Sequence, residues 1–213
     1  MNFDIKTISN DFELLNSKQF YRKYIADNSN WYFSEYPGRK YDTPEKSLRV
    51  LRTIVSETTG VSYRSVHMVG SAKIGCSLSL KEPFRPFKDS SEKGGKTSDI
   101  DIVVVSLRIF SQFWHRLHDE QTLRSIGFYR KRIIPSIFSG YIDGGALRKL
   151  DRIANEWKQL FSHTLRQLQK EQMIIHPINF RVYRCWEDFE RYHLIGIDRL
   201  KIKIEGKGGI DKL

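Results

Sequence analysis

Apolar residues recur at steps of three and four along several stretches of this 213-residue chain, and fill nearly every position in a few short ones. The longest helical pattern runs from Ala146 to Gln172, where Leu147, Leu150, Ala154, Trp157, Phe161, Leu165 and Leu168 make one stripe. Leu48, Leu51, Ile54 and Val55 form another, opened by Asp42-Thr43-Pro44-Glu45 and stopped at Gly60. Further helices are predicted over Asp11 to Ile25, over Ile109 to Ile126, and from Trp186 through Phe189, His193, Ile197 and Leu200, with Glu187 and Asp188 favouring the start. The strand-like runs are Val66 to Val69, Ile100 to Val105 and His176 to Tyr183. Asn28 to Asp42 reads as an aromatic-rich loop, and Ile133 to Ile142 as a loop or short strand leading into the Asp143-Gly144-Gly145 turn.

Together these elements predict an α+β fold, a small mixed sheet with flanking helices and an N-terminal helical section. The predicted layout is one compact unit: residues 1–60 helical and packed on a core of 61–205, a loop inserted at 81–98, and a flexible tail at 206–213. Trp31, Tyr32, Phe33 and Tyr36 are expected to pack against the core rather than to stack a base.

One strand breaks the pattern. Asp99 and Asp101 stand one residue apart at the head of Ile102-Val103-Val104-Val105. Side chains alternate along a strand, so both carboxylates point to one face, where they repel each other and lose solvation. A hard divalent cation, Mg²⁺ or Mn²⁺, resolves that cost by taking the carboxylates together with substrate phosphates. The alternative is a pair of acids solvated at a frayed strand end. Upstream, Val66 to Val69 runs into Gly70-Ser71 and a helix start, a turn whose backbone N–H groups and hydroxyl suit a phosphate.

A strand ending in Gly-Ser, a short helix, and then an apolar strand carrying Asp-x-Asp resembles the DNA polymerase β-like nucleotidyltransferase superfamily. The stretch SLSLKEPFRPF through SDIDIVVVS also looks like that of bacterial, minimal-type nucleotidyltransferase-like proteins. The resemblance covers residues 66 to 105 and implies that Asp99 and Asp101 are the catalytic, metal-binding acids. It implies also that Gly70 and Ser71 seat the nucleotide phosphates, with Lys73 neutralising them.

Two departures stand out. Ser71 and Asp99 are separated by 27 residues, with the excess in Lys81 to Thr97, where Lys88, Lys93 and Lys96 are placed to close over a triphosphate or simply to face solvent. The superfamily's third carboxylate falls at Asn179 in Ile178-Asn179-Phe180, and Asn cannot accept a proton. Arg181 follows two residues on, favouring phosphate over metal. Asp143, Asp188 and Glu205 are other acids in reach of such a role, but none sits in a clear apolar-acid-apolar strand.

Composition narrows the rest. A formal charge of +11 draws polyanions, whether nucleoside triphosphates, RNA, DNA or an acidic partner protein. The basic runs are Arg130-Lys131-Arg132, Arg148-Lys149 and Lys201 to Lys212. Cys76 and Cys185 are too isolated for a zinc site and read as buried thiols, while His115 and His118 lack a third ligand. No run is apolar enough to span a membrane and no leader is evident, so a cytoplasmic protein is expected. The leading expectation is a nucleotidyltransferase moving an NMP, from ATP or another NTP, to a hydroxyl on a nucleotide, an RNA end or a protein. The alternatives are a catalytically degenerate nucleotide sensor or regulator, acting alone or with a protein partner, and a basic RNA-binding accessory protein.

Overall fold

Four strands hydrogen-bond in the order β1-β2-β4-β3 to make a small mixed sheet, and helices supply most of the rest of this α+β chain. The computed structural model describes residues 3–37, 43–89, 97–119, 129–172 and 174–206. The strands are β1 (Val66–Val69), β2 (Ile100–Val105), β3 (Tyr141–Asp143) and β4 (Ile178–Tyr183). The chain divides into two units, one of Met1–Arg49, Met68–Asp101 and Arg191–Leu213, the other of Val50–His67 and Ile102–Glu190. Among the described residues no helix is long and apolar enough to cross a membrane.

The first unit opens with α1 (Ile5–Leu14), capped by the Asp4 carboxylate accepting from the Thr7 N–H at 3.0 Å. The single helix expected over 11–25 is instead broken at Leu15. Asn16 builds a capping box, its side chain accepting from Gln19 N–H while its own N–H donates to the Gln19 side chain. That reciprocal pair starts α2 (Ser17–Phe20), which runs on as a π-helical turn over Tyr21–Ala26. Within the expected aromatic loop lies one turn of helix, α3 (Trp31–Ser34), capped by Asn30. Tyr32, Phe33 and Tyr36 are buried, as the sequence predicts, whereas Trp31 is half-buried, its ring lying against Tyr36 and Phe87. Phe12 and Phe20 meet edge to face at 4.9 Å, and the Lys201 ammonium lies over the Phe12 ring at 4.7 Å.

In the second unit, α6 (Leu107–Asp119) and α9 (Asp151–Gln172) supply the apolar faces. Phe161 stacks on Phe180 of β4 at 4.1 Å, and Phe113 meets Trp157 edge to face at 5.0 Å. Such ring pairs add about 0.5–1.5 kcal/mol each beyond burial. β3 pairs antiparallel with β4, setting Tyr141 opposite Tyr183 and Asp143 opposite Arg181. The segment 133–142, expected as a loop or short strand, ends in β3 but contains a helical turn first, α7 (Ile134–Phe138), with Pro135 tolerated at its start.

The long helix predicted from Ala146 begins later, because Asp143 caps a separate turn, α8 (Gly144–Leu147), and the chain restarts at Asp151. A Cβ on Gly144 would come within 2.6 Å of the Trp157 indole, so this closure needs glycine. The predicted stripe at Leu48, Leu51, Ile54 and Val55 is buried along α4 (Pro44–Thr59), and Gly60 ends that helix with φ +66°. The last helix, α10 (Trp186–Glu205), starts with Glu187 and Asp188 in its first turn. Residues 120–126 of the predicted α6 extension, the Asp42 cap, Lys93, Lys96 and the tail from Lys207 lie outside the described residues.

Two stability predictions come from this packing. Burying nothing and touching nothing within 4 Å, a methyl at Gly196 in α10 is accommodated, so Gly196→Ala raises stability by about 0.5–1 kcal/mol in urea melts. Asp11 bonds the Lys23 ammonium and the Tyr24 hydroxyl, which hold its carboxyl below the usual 3.8. Its contribution is therefore present above that pH and is lost as pH falls through the lower folded value. Thermal melts from acid to neutral pH should show a shallower acid limb in Asp11→Asn than in the parent.

Candidate functional site

The Gly-Ser turn and the paired acids lie in the same unit, and the structure brings them together. β1 is buried at all four residues and delivers Gly70 with φ +73° and ψ −160°, a region open essentially only to glycine. A Cβ there would stand 2.7 Å from Asp101 Oδ2, so the backbone passes directly against the carboxylate. Ser71 then opens α5 (Ser71–Ile74), a single turn closed by Lys73 N–H to Gly70 O at 3.1 Å and Gly75 N–H to Ser71 O at 2.8 Å. Gly75 ends it in the left-handed region, where a side chain would strike the Trp31 indole at 2.8 Å.

The acids alternate with buried residues as a strand requires. Ser98, Ile100 and Ile102 are buried, while Asp99 and Asp101 are half-buried on the opposite face. Ser98 anchors the approach to β2 by two bonds to one residue. Its N–H donates to Lys88 O at 3.0 Å and its hydroxyl accepts from Lys88 N–H at 2.9 Å. The first part of the inserted loop is likewise tied down, by Ser77 N–H to Arg85 O, Phe87 N–H to Gly75 O and the Tyr36 hydroxyl to the Asp89 carboxylate.

Lys73 stands elsewhere than at an open phosphate site. It is 2% exposed, and its ammonium donates to the backbone carbonyls of Asp27 and Ser29. Burial on its own would raise the Asp27 carboxyl. Hydrogen bonds from Ser29 and the Lys73 charge outweigh it and hold Asp27 below the usual range. The sequence carries no sign of this arrangement, because Lys73's partners are main-chain oxygens that any residue supplies.

The remaining acids and ligand types are placed as follows. Asn179 is exposed on β4, in the alternation that also carries Arg181, whose guanidinium lies 4.9 Å over the Tyr141 ring. Asp143 is engaged as the α8 cap. Asp188 is 3% exposed, gripped by Arg184 through bonds of 2.7 and 3.1 Å, and packed where a Cβ on Gly140 would overlap its carboxyl. Glu205 is exposed at the end of α10. Cys76 is buried, which pushes its thiol up to about 12, whereas Cys185 is half-buried rather than buried. His115 and His118 are exposed on α6, each ring against Trp114. Among the described residues no three His, Cys, Asp or Glu side chains gather as a metal-ligand group.

Two carboxylates on one strand face, with main chain packed against one of them, form an all-oxygen donor set. That suits a hard cation whose remaining ligands come from phosphates or water. No protein-family model, curated protein or solved structure matches the chain.

Proposed function

We propose that the chain is a metal-dependent nucleotidyltransferase of the DNA polymerase β-like kind, moving an NMP from an NTP to a hydroxyl acceptor with release of pyrophosphate. The observation that carries this reading is the approach of Gly70 to Asp101. A strand end held in a glycine-only conformation sets main chain against the second acid of the Asp-x-Asp pair, directly before the Ser71 hydroxyl, and that conjunction supports the reading.

In this reading Asp99 and Asp101 hold Mg²⁺ or Mn²⁺, which when bound offsets the phosphate charge and stabilises the attacking and leaving oxygens. Gly70 lets the main chain draw close to the phosphates, and the Ser71 hydroxyl bonds a phosphate oxygen. Lys73 acts as a positioning residue, fixing α5 on the 27–29 carbonyls rather than reaching the substrate. The acceptor hydroxyl, on a nucleotide, an RNA end or a protein, attacks the α-phosphorus as the bond to pyrophosphate breaks in line, and its proton passes to water. Positioning and electrostatics supply most of the acceleration in such transfers.

Asn179 favours a second reading, a catalytically degenerate nucleotide-binding regulator. At the position where the resemblance implies a third acid, it offers no proton acceptor. An assay with Mg²⁺ or Mn²⁺, each labelled NTP, and RNA present or absent separates the two. The enzyme yields pyrophosphate and a labelled product, while the regulator yields metal-dependent nucleotide binding without product.

If turnover occurs, Asp99→Asn and Asp101→Asn should each reduce it by about a hundredfold or more while melting with the parent. Full activity in either variant would remove the metal-site assignment. Gly70→Ala should lose about 1–3 kcal/mol of stability in urea melts, because the new Cβ meets the Asp101 carboxylate in a strained backbone. It should lower activity even where it stays folded, and a fully active, equally stable Gly70→Ala protein would contradict the proposed geometry.

A further inference from the structure

The second unit gathers two basic runs that are distant in sequence. The π-helical turn Tyr129–Ile133 carries Lys131 and Arg132, both exposed, and leads directly into α7. α8 packs against that same turn, so Arg148 and Lys149, which follow Leu147 at once and are exposed, emerge beside it. Between residues 129 and 150 the only acid is Asp143, whose Oδ1 already accepts from Ala146 N–H at 2.9 Å.

Apolar side chains stand out of this basic surface. Phe138 is 90% exposed and Ile134 50%, and their spacing of four puts them on one face of α7. The opposite face is anchored. Ile133 and Ser136 are buried, the Ser136 hydroxyl donates to Ile133 O at 2.8 Å, and Gly140 N–H closes the turn on Ile137 O at 2.9 Å. The phenyl ring is thus presented to solvent from a pinned support, with cations on the same segment.

We infer that this surface binds single-stranded RNA, with Lys131, Arg132, Arg148 and Lys149 tracking phosphates and Phe138 stacking an unpaired base. Cations that follow a backbone, together with an exposed ring for the bases, are what sequence-tolerant single-strand binding requires. RNA loops and ends present unpaired bases, whereas duplex DNA keeps them inside its stack. A membrane fits less well, since α7 is only about one and a half turns long and interfacial helices bury far longer apolar faces. Two apolar side chains are also too few for the core of a protein–protein interface. The assignment needs neither Asp99 nor Asp101 and stands apart from nucleotidyl transfer.

The test is anisotropy of a labelled oligouridylate of about 15 nucleotides titrated with the full chain, without metal or NTP, between about 50 and 200 mM salt. Phe138→Ala should weaken binding about tenfold, Phe138→Tyr should retain it, and both should melt with the parent. Lys131→Gln with Arg132→Gln should lower the salt slope by about 1.4, while Lys6→Gln with Lys18→Gln, exposed cations of the other unit, should leave it unchanged. Asp101→Asn should bind RNA like the parent, so loss of transfer and loss of RNA binding are read separately. Parent-like affinity in Phe138→Ala overturns the proposal. So does an equal loss from both charge pairs, and so does tighter binding to the matching DNA strand or to phosphatidylserine vesicles.

Discussion

A buried ammonium organises the ground beneath the candidate site. Lys73 is almost wholly withdrawn from water, and an ion in that position is tolerated only when its donors are engaged. The carbonyls of Asp27 and Ser29 take two of them, and the ionised Asp27 carboxylate lies close enough to be stabilised by the same charge. The single turn of α5 is far too short to be stable alone. Its orientation comes from this grip at one end and from the Trp31 indole over Gly75 at the other. The pose of Gly70 and Ser71 depends on both, and with it the approach of main chain to the Asp101 carboxylate.

Most of the fold was legible because its signals are local. The stripe of α4, the burial of β2 and the acidic first turn of α10 follow from periodicity, charge and the glycine stop at residue 60. The acid pair was legible for the same reason, since alternation alone sets Asp99 and Asp101 on one face. What stayed hidden was decided by side chain to main chain bonds or by contacts across long sequence gaps. The break at Leu15 turns on the reciprocal bonding of Asn16 with Gln19, and the late start of α9 on the Trp157 indole against Gly144. The two π-helical turns have no apolar period of their own. Lys73 read as a phosphate ligand because a lysine in the turn after Gly-Ser is placed for one, and carbonyl partners leave no trace in sequence.

The candidate site and the basic surface are built in different ways. Around Asp101 the determinant is main chain geometry, which tolerates no added atom and so restricts what stands at residue 70. Around Phe138 the features are exposed side chains on an anchored support, where substitution leaves the buried contacts in place. Asn179 is an exposed amide on β4.

The paired bonds between Lys88 and Ser98 carry a consequence for how such a chain changes over time. They fasten the start and finish of the intervening segment to each other immediately before the acid strand. Closure entropy grows only slowly with the number of residues enclosed. Lengthening, shortening or recoding that segment therefore leaves the register of Asp99 and Asp101 untouched. The paired bonds at its base make the segment a natural graft point, where new sequence is acquired without renegotiating the acid-bearing strand.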